Sequence, residues 1–119
     1  MEEKDKRIYK RLRMKINIRY RVIAPNLKAS EELLTIARNL SAGGLALSMD
    51  EKIKVGTVLQ LSIELPTDET PVVCLSRVVR SEGPMVDGTF FVGVCFLDMT
   101  GVDRARLDRF VSEEARQRE

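Results

Sequence analysis

Val58-Leu59-Gln60-Leu61-Ser62-Ile63-Glu64-Leu65 puts Leu59, Leu61, Ile63 and Leu65 on one face and Val58, Gln60, Ser62 and Glu64 on the other, until Pro66 stops the pattern. Successive side chains of a strand point to opposite faces, so this period of two marks a strand with one buried face. The same texture extends in both directions. Upstream, Ile16, Ile18, Tyr20 and Val22 alternate with Lys15, Asn17, Arg19 and Arg21, and Pro25 with Asn26 ends the run. A second candidate strand runs from about Leu33 to Asn39, with Leu34 and Ile36 on a common face. Gly43 and Gly44 interrupt it, and Leu45 and Leu47 resume the alternation. Downstream, Val72 to Ser81 is apolar on both faces in part, Gly83 and Pro84 supply a turn, and a last strand from about Thr89 to Leu97 has Phe90, Val92, Val94 and Phe96 as its inner face.

After Asp98 the period becomes helical. Val102, Leu107, Phe110 and Val111 form a stripe, and Thr100 is in position to cap the helix, with Asp103 three residues on. Six short antiparallel strands followed by a helix at about 101–117 predict an all-β fold, a six-stranded antiparallel barrel with the C-terminal helix packed on it. Residues 1–14 carry many charges and few apolar groups, which predicts a flexible basic segment in front of a barrel domain spanning 15–119.

At 119 residues the chain has length for one core, and its 44% hydrophobic and 32% charged residues fit a globular domain. No apolar run is long enough for a membrane-spanning helix, and the charged N-terminus has no apolar stretch of the signal-peptide kind, so a cytoplasmic location is expected. Cys74 and Cys95 are then expected as free thiols in apolar stretches rather than as a disulfide or metal ligands. Histidine is absent, which removes the commonest general base and metal ligand, and no nucleophile motif stands in the sequence. The expectation is a protein that is not an enzyme and binds no metal. A net charge of +2 is too small to argue for wholesale nucleic-acid binding, although seven of the first 15 residues are Lys or Arg.

Two short elements carry the chemistry. Arg7-Ile8-Tyr9-Lys10-Arg11 presents two arginines separated by three residues, a spacing that puts both on one side of either a helical turn or an extended segment. An arginine fork can pair with guanine O6 and N7 or with phosphate, and can stack on a base. Such a pair arises by chance about once in a chain of this composition. Asn39-Leu40-Ser41-Ala42-Gly43-Gly44 is rarer, at roughly one such chain in thirty. It reads in two ways. Asn, Ser and two glycines make an ordinary β-turn, and the same residues present an amide and a hydroxyl at the barrel surface where a base or phosphate can approach the backbone.

Taken together, Arg7, Arg11, Asn39, Ser41 and Gly44 resemble the signature of the PilZ domains, which bind the bacterial second messenger cyclic di-GMP: Arg-x-x-x-Arg before the first strand, then Asp or Asn, x, Ser, x, x, Gly at the turn between the second and third. Val92-Gly93-Val94-Cys95-Phe96 and the closing helix resemble the family's last strand and helix. The resemblance implies a six-stranded barrel whose basic N-terminal segment wraps over the nucleotide. The arginines would take guanine and phosphate, and Asn39 and Ser41 the other guanine edge. Gly44 would allow close packing, with Lys6 and Gly43 at the margin of the site. Asn39 offers an amide oxygen in place of a carboxylate to guanine N1 and N2. A basic residue at the position of Lys6 is associated in the family with binding a stacked ligand dimer. The implied role is a second-messenger adaptor in motility or biofilm regulation. With only six residues before Arg7, output is expected to pass through a separate protein partner, the chain itself being a monomer or homodimer. Three other readings compete with it. One is a ligand-independent interaction module of motility or secretion machinery. Another is a single-stranded nucleic-acid binder, for which only Tyr9 and Tyr20 offer stacking platforms. The last is a polybasic membrane anchor, opposed by Glu2, Glu3 and Asp5.

Overall fold

The computed structural model describes residues 12–23, 32–41 and 43–117, with side chains from residue 15 onward. Lys6, Arg7, Tyr9 and Arg11 lie outside the described residues. Six strands, β1 (Leu12–Ile23), β2 (Leu33–Leu40), β3 (Gly44–Met49), β4 (Val58–Ile63), β5 (Val72–Glu82) and β6 (Phe90–Asp98), precede one helix, α1 (Gly101–Gln117). The strands close into a barrel in the order β1-β2-β3-β6-β5-β4, every neighbour antiparallel, and β4 returns to pair with β1. Closure gives every strand two partners, so backbone donors and acceptors are used within the sheet and no long edge is left open.

The alternation of the sequence sets the interior. Ile16, Ile18 and Tyr20 from β1, Leu59, Leu61 and Ile63 from β4, and Val72, Cys74 and Val78 from β5 all point inward and are buried. A fully buried aliphatic side chain of this kind contributes about 1.5–3 kcal/mol relative to the exposed state. Val92 and Val94 fill the β6 side, with Phe96 partly buried against the same core. Ser76 is the buried polar residue among these, and its hydroxyl donates to the Leu59 carbonyl at 3.2 Å, which satisfies it. Tyr20, one of two candidate stacking platforms, is only 5% exposed and belongs to the core. Leu34 and Ile36 do share a face, but it is the outer one, and Ala37 and Leu40 fill the interior instead.

One boundary and one core assignment differ from the sequence expectation. β1 begins at Leu12, so residues 12–14 of the segment expected to precede the barrel belong to its first strand. Val102, placed on the apolar stripe of the helix, is 72% exposed; Leu107, Phe110 and Val111 alone make the buried face. Val102 sits in the first turn, just past the cap: Thr100 Oγ1 accepts from the Asp103 N–H at 3.0 Å, and the Thr100 carbonyl accepts from the Arg104 N–H at 2.9 Å. Asp103 then turns to Arg106 at 2.8 Å, and Arg106 also reaches Asp68 at 3.0 Å and the Thr70 carbonyl. This clamp ties the helix to the segment joining β4 and β5. Burial pushes the Cys74 thiol up to about 12, and both cysteines are free.

Candidate functional site

The connection between β2 and β3 is built by its own short polar groups. The Ser41 N–H donates to the Gly44 carbonyl at 2.9 Å, and the Ser41 hydroxyl accepts from the Gly43 N–H at 3.2 Å while lying 3.3 Å from the Gly44 carbonyl oxygen. The turn is also fastened to the neighbouring strand β6, because the Gly43 carbonyl accepts from the Phe96 N–H at 3.1 Å. Gly44 pairs with Cys95 as the first residue of β3. A Cβ there would overlap the Val94 carbonyl oxygen and come within 3.2 Å of the Cys95 Cα. The glycine is therefore required by the closeness of two strands, with an ordinary strand φ and not the left-handed one of a tight turn.

Beside this turn lies a hollow of about 400 Å³ walled by Asn39, Ser41 and Gly43 on one side and by Arg80, Phe91 and Gly93 on the other. Arg80 lies over the Phe91 ring, its guanidinium carbon 5.1 Å from the ring centre, and its Nε is 2.6 Å from Glu82. The aromatic face supports the cation, while the exposed Glu82 pair adds little because water screens it. Gly93 keeps the floor low: a Cβ there would meet the Arg80 Cβ at 3.4 Å. Both Arg80 and Phe91 escaped the sequence reading. Strict alternation from Val78 would send Arg80 inward, but the pairing shifts between Val78 and Arg80 and turns the side chain out opposite Gly93. The signal lay in a second arginine, three residues after Arg77, closing the run Val72 to Val79.

Of the residues singled out in the sequence, Asn39, Ser41, Gly43 and Gly44 come together at this hollow. Arg7, Arg11 and Lys6 lie outside the described residues. The strand that follows them is informative, since Leu12 pairs with Leu40 and Arg13 with Asn39. The chain thus enters the barrel along the edge of the turn.

A second hollow, of about 560 Å³, adjoins the first and shares Asn39, Ala46 and Phe91 with it. It runs under the segment joining β5 to β6, with Met85 and Val86 at its rim and Phe90 inside. Asp87 accepts from the Thr89 hydroxyl at 2.6 Å and from the Thr89 N–H at 3.0 Å, and these bonds hold its carboxyl below the usual range, with Arg38 assisting. A larger hollow of about 630 Å³ lies between β1 and the β4–β5 segment; of its charged residues Arg19 pairs with Glu64 at 2.7 Å and Asp68 with Arg106 at 3.0 Å. At the turn, a cation on an aromatic ring, the Asn39 amide and the Ser41 hydroxyl converge on one hollow. Among the described residues no cluster of three or more metal-ligating side chains occurs, and no helix is long and apolar enough to cross a membrane.

Comparison with solved structures gives the same architecture. The chain superposes on the Bacillus subtilis inhibitor of motility, MotI/DgrA, with a TM-score of 0.80 at 20% identity, covering 96% of this chain and 53% of that one. It matches the PilZ domain of YcgR from Escherichia coli, solved with cyclic di-GMP, with a TM-score of 0.69 at 14% identity, covering 95% and 94%. The K. pneumonia MrkH–cyclic di-GMP complex gives 0.63 at 18% identity, covering 96% and 56%. The chain spans about half the length of MotI and of MrkH, and at these identities the likeness is one of fold. No curated protein sequence matches significantly. The PilZ domain family profile matches residues 5–113, nearly the whole sequence, and the chain belongs to the PilZ domain family.

Proposed function

We propose that this chain is a cyclic di-GMP receptor that signals to a separate protein partner and carries out no catalysis of its own. The observation that carries the reading is the register of β1. Leu12 pairs with Leu40 and Arg13 with Asn39, and Arg11 is covalently next to Leu12, so the Arg-x-x-x-Arg segment joins the barrel beside the hollow formed by Asn39, Ser41 and Gly43. The family membership and the cyclic di-GMP complexes of YcgR and MrkH support the same ligand.

Each group has a role that its chemistry suits. Arg7 and Arg11 supply bidentate donors to guanine O6 and N7 and to the phosphates. The Asn39 amide takes the other guanine edge. The Ser41 hydroxyl, already bonded into the turn, keeps acceptor capacity for an N–H of the base. Arg80 offers a third cation, held flat on Phe91 and available for stacking on a purine. Gly44 acts indirectly by letting β3 and β6 approach, which fixes the turn. Closing a basic segment over a dianionic ligand alters the charge and shape of the surface around the hollow, and that altered surface is what a partner in the cytoplasm reads.

Calorimetric titration with cyclic di-GMP tests this. Saturable binding is expected, resistant to competition by random oligonucleotides and mononucleotides at moderate salt. Arg11→Ala loses a bidentate contact of about 1–3 kcal/mol, so its affinity falls about tenfold to more than a hundredfold. Unchanged affinity in that variant rejects the site assignment, and the stoichiometry of the parent reports on the Lys6 position.

A further inference from the structure

We propose that the outer face of β5 and β6 is a contact between two copies of this chain related by a two-fold axis. This contact forms without nucleotide and does not depend on the receptor reading. The outward positions of the two strands beyond β5 are polar, with Asn17, Arg19 and Arg21 on β1 and Gln60 and Ser62 on β4. On β5 the same parity carries Val73, Leu75 and Val79, all exposed. Leu97 of β6 joins them. The pairing of β5 with β6 shifts between Leu75 and Ser76, which leaves Leu97 as an extra residue, 44% exposed. The first turn of α1 borders the stripe, because the Val73 N–H donates to Asp103 at 3.4 Å. Contiguous exposed apolar surface of this kind marks a contact with another macromolecule.

Charge selects a second copy as the occupant. Leu75 is the cross-strand neighbour of Asp98, and Arg77 is that of Cys95. These four stand at the corners of a rectangle about 5 Å across the strands and about 7 Å along them, with Arg77 and Asp98 on one diagonal and Leu75 and Cys95 on the other. Arg77 and Asp98 are both exposed, and neither forms an ion pair with another described side chain. Gly44, next to Cys95 on β3, puts no side chain over that corner. A two-fold axis lying in the face along the Leu75–Cys95 diagonal exchanges the two charged corners. Arg77 of each copy then meets Asp98 of the other, and Leu75 and Leu97 pack near the axis. A two-fold contact requires a patch that complements itself, and this chain supplies both halves of each pair. A face of this extent fits the low end of interface sizes, below about 1,200 Å² in total, and so a dimer that dissociates on dilution.

Analytical ultracentrifugation of the whole chain without nucleotide, over a range of concentrations, reads the association. A monomer–dimer equilibrium is expected. Arg77→Asp and Asp98→Arg each turn both cross-copy pairs into like charges, so each variant should weaken the dimer at least about tenfold. Their thermal melts should match the parent, because both positions are exposed and unpaired in the single chain. Mixing the two variants in equal amounts should restore the dimer, since in the mixed pair both contacts again join opposite charges. The chain carrying both substitutions should dimerise for the same reason. A parent that stays monomeric at every concentration overturns the proposal. So does a dimer indifferent to Arg77→Asp, or one that the mixture of the two variants fails to restore.

Discussion

Gly44→Ala separates what the turn owes to folding from what it owes to a ligand. The added Cβ would overlap the Val94 carbonyl oxygen and stand 3.2 Å from the Cys95 Cα, both backbone atoms of β6, so no flexible side chain can move aside. Two strands of a closed barrel must part instead. Overpacking of this kind costs about 1–3 kcal/mol. Parting also stretches the Gly43 carbonyl bond to the Phe96 N–H and the ladder around the Gly44–Cys95 pair, at about 0.5–1.5 kcal/mol for each bond lost. The sum is about 2–4 kcal/mol, a large share of the ~5–15 kcal/mol that holds a domain folded. Urea denaturation of the protein without nucleotide reads it, with a midpoint lowered by roughly 1–2 M at an m-value of about 1–3 kcal/mol per M. Gly93→Ala is the control. Its Cβ would meet only the Arg80 Cβ at 3.4 Å and the edge of Phe91, so the cost stays below about 1 kcal/mol. A Gly44→Ala protein within about 0.5 kcal/mol of the parent would refute the strand-packing account and return that glycine to the ligand alone.

Three further outcomes are expected. Arg80→Ala should weaken cyclic di-GMP binding about tenfold in calorimetry while leaving the unliganded melting temperature unchanged, because its exposed pair with Glu82 is worth under about 1 kcal/mol. Thr100→Ala removes the hydroxyl that accepts the Asp103 N–H and should destabilise the protein by about 1 kcal/mol in thermal melts followed by circular dichroism. Cys74 should make stability fall in alkali: burial raises its folded-state value from 9.0 to about 12, so its contribution is complete below pH 9 and is lost between these values as the unfolded thiol ionises. The fall is at most about 1.4 kcal/mol per pH unit, and Cys74→Ala should flatten it in denaturation curves at pH 8–11.

The barrel was legible in the sequence wherever alternation ran unbroken. Ile16-Ile18-Tyr20 and Leu59-Leu61-Ile63 face the core as the pattern required, and Thr100 caps the helix it was assigned to. The pattern failed where pairing slips. Between Val78 and Arg80 the register shifts, which turned a cation out of the parity that would have buried it and hid half of the hollow. Phe91 was passed over for a related reason, since the inner face of β6 was legible and its outer face carries no periodic signal. The turn residues were found because Asn, Ser and Gly are uncommon at that spacing, yet the need for Gly44 depends on β6, fifty residues away in the chain. No local pattern records a contact at that distance. Val102 shows the limit of a helical stripe, because an apolar residue in the first turn joins the core only if the barrel reaches that far.

The most direct measurement is an amide NMR titration of the isotope-labelled chain with cyclic di-GMP. The account predicts saturable shifts concentrated at Asn39, Ser41, Gly43 and Gly44 on the turn and at Arg80, Phe91 and Gly93 across the hollow, together with those of Arg7 and Arg11. Shifts confined to the hollow around Lys15, Glu64 and Asp68, or a spectrum that the nucleotide leaves unchanged, would contradict it.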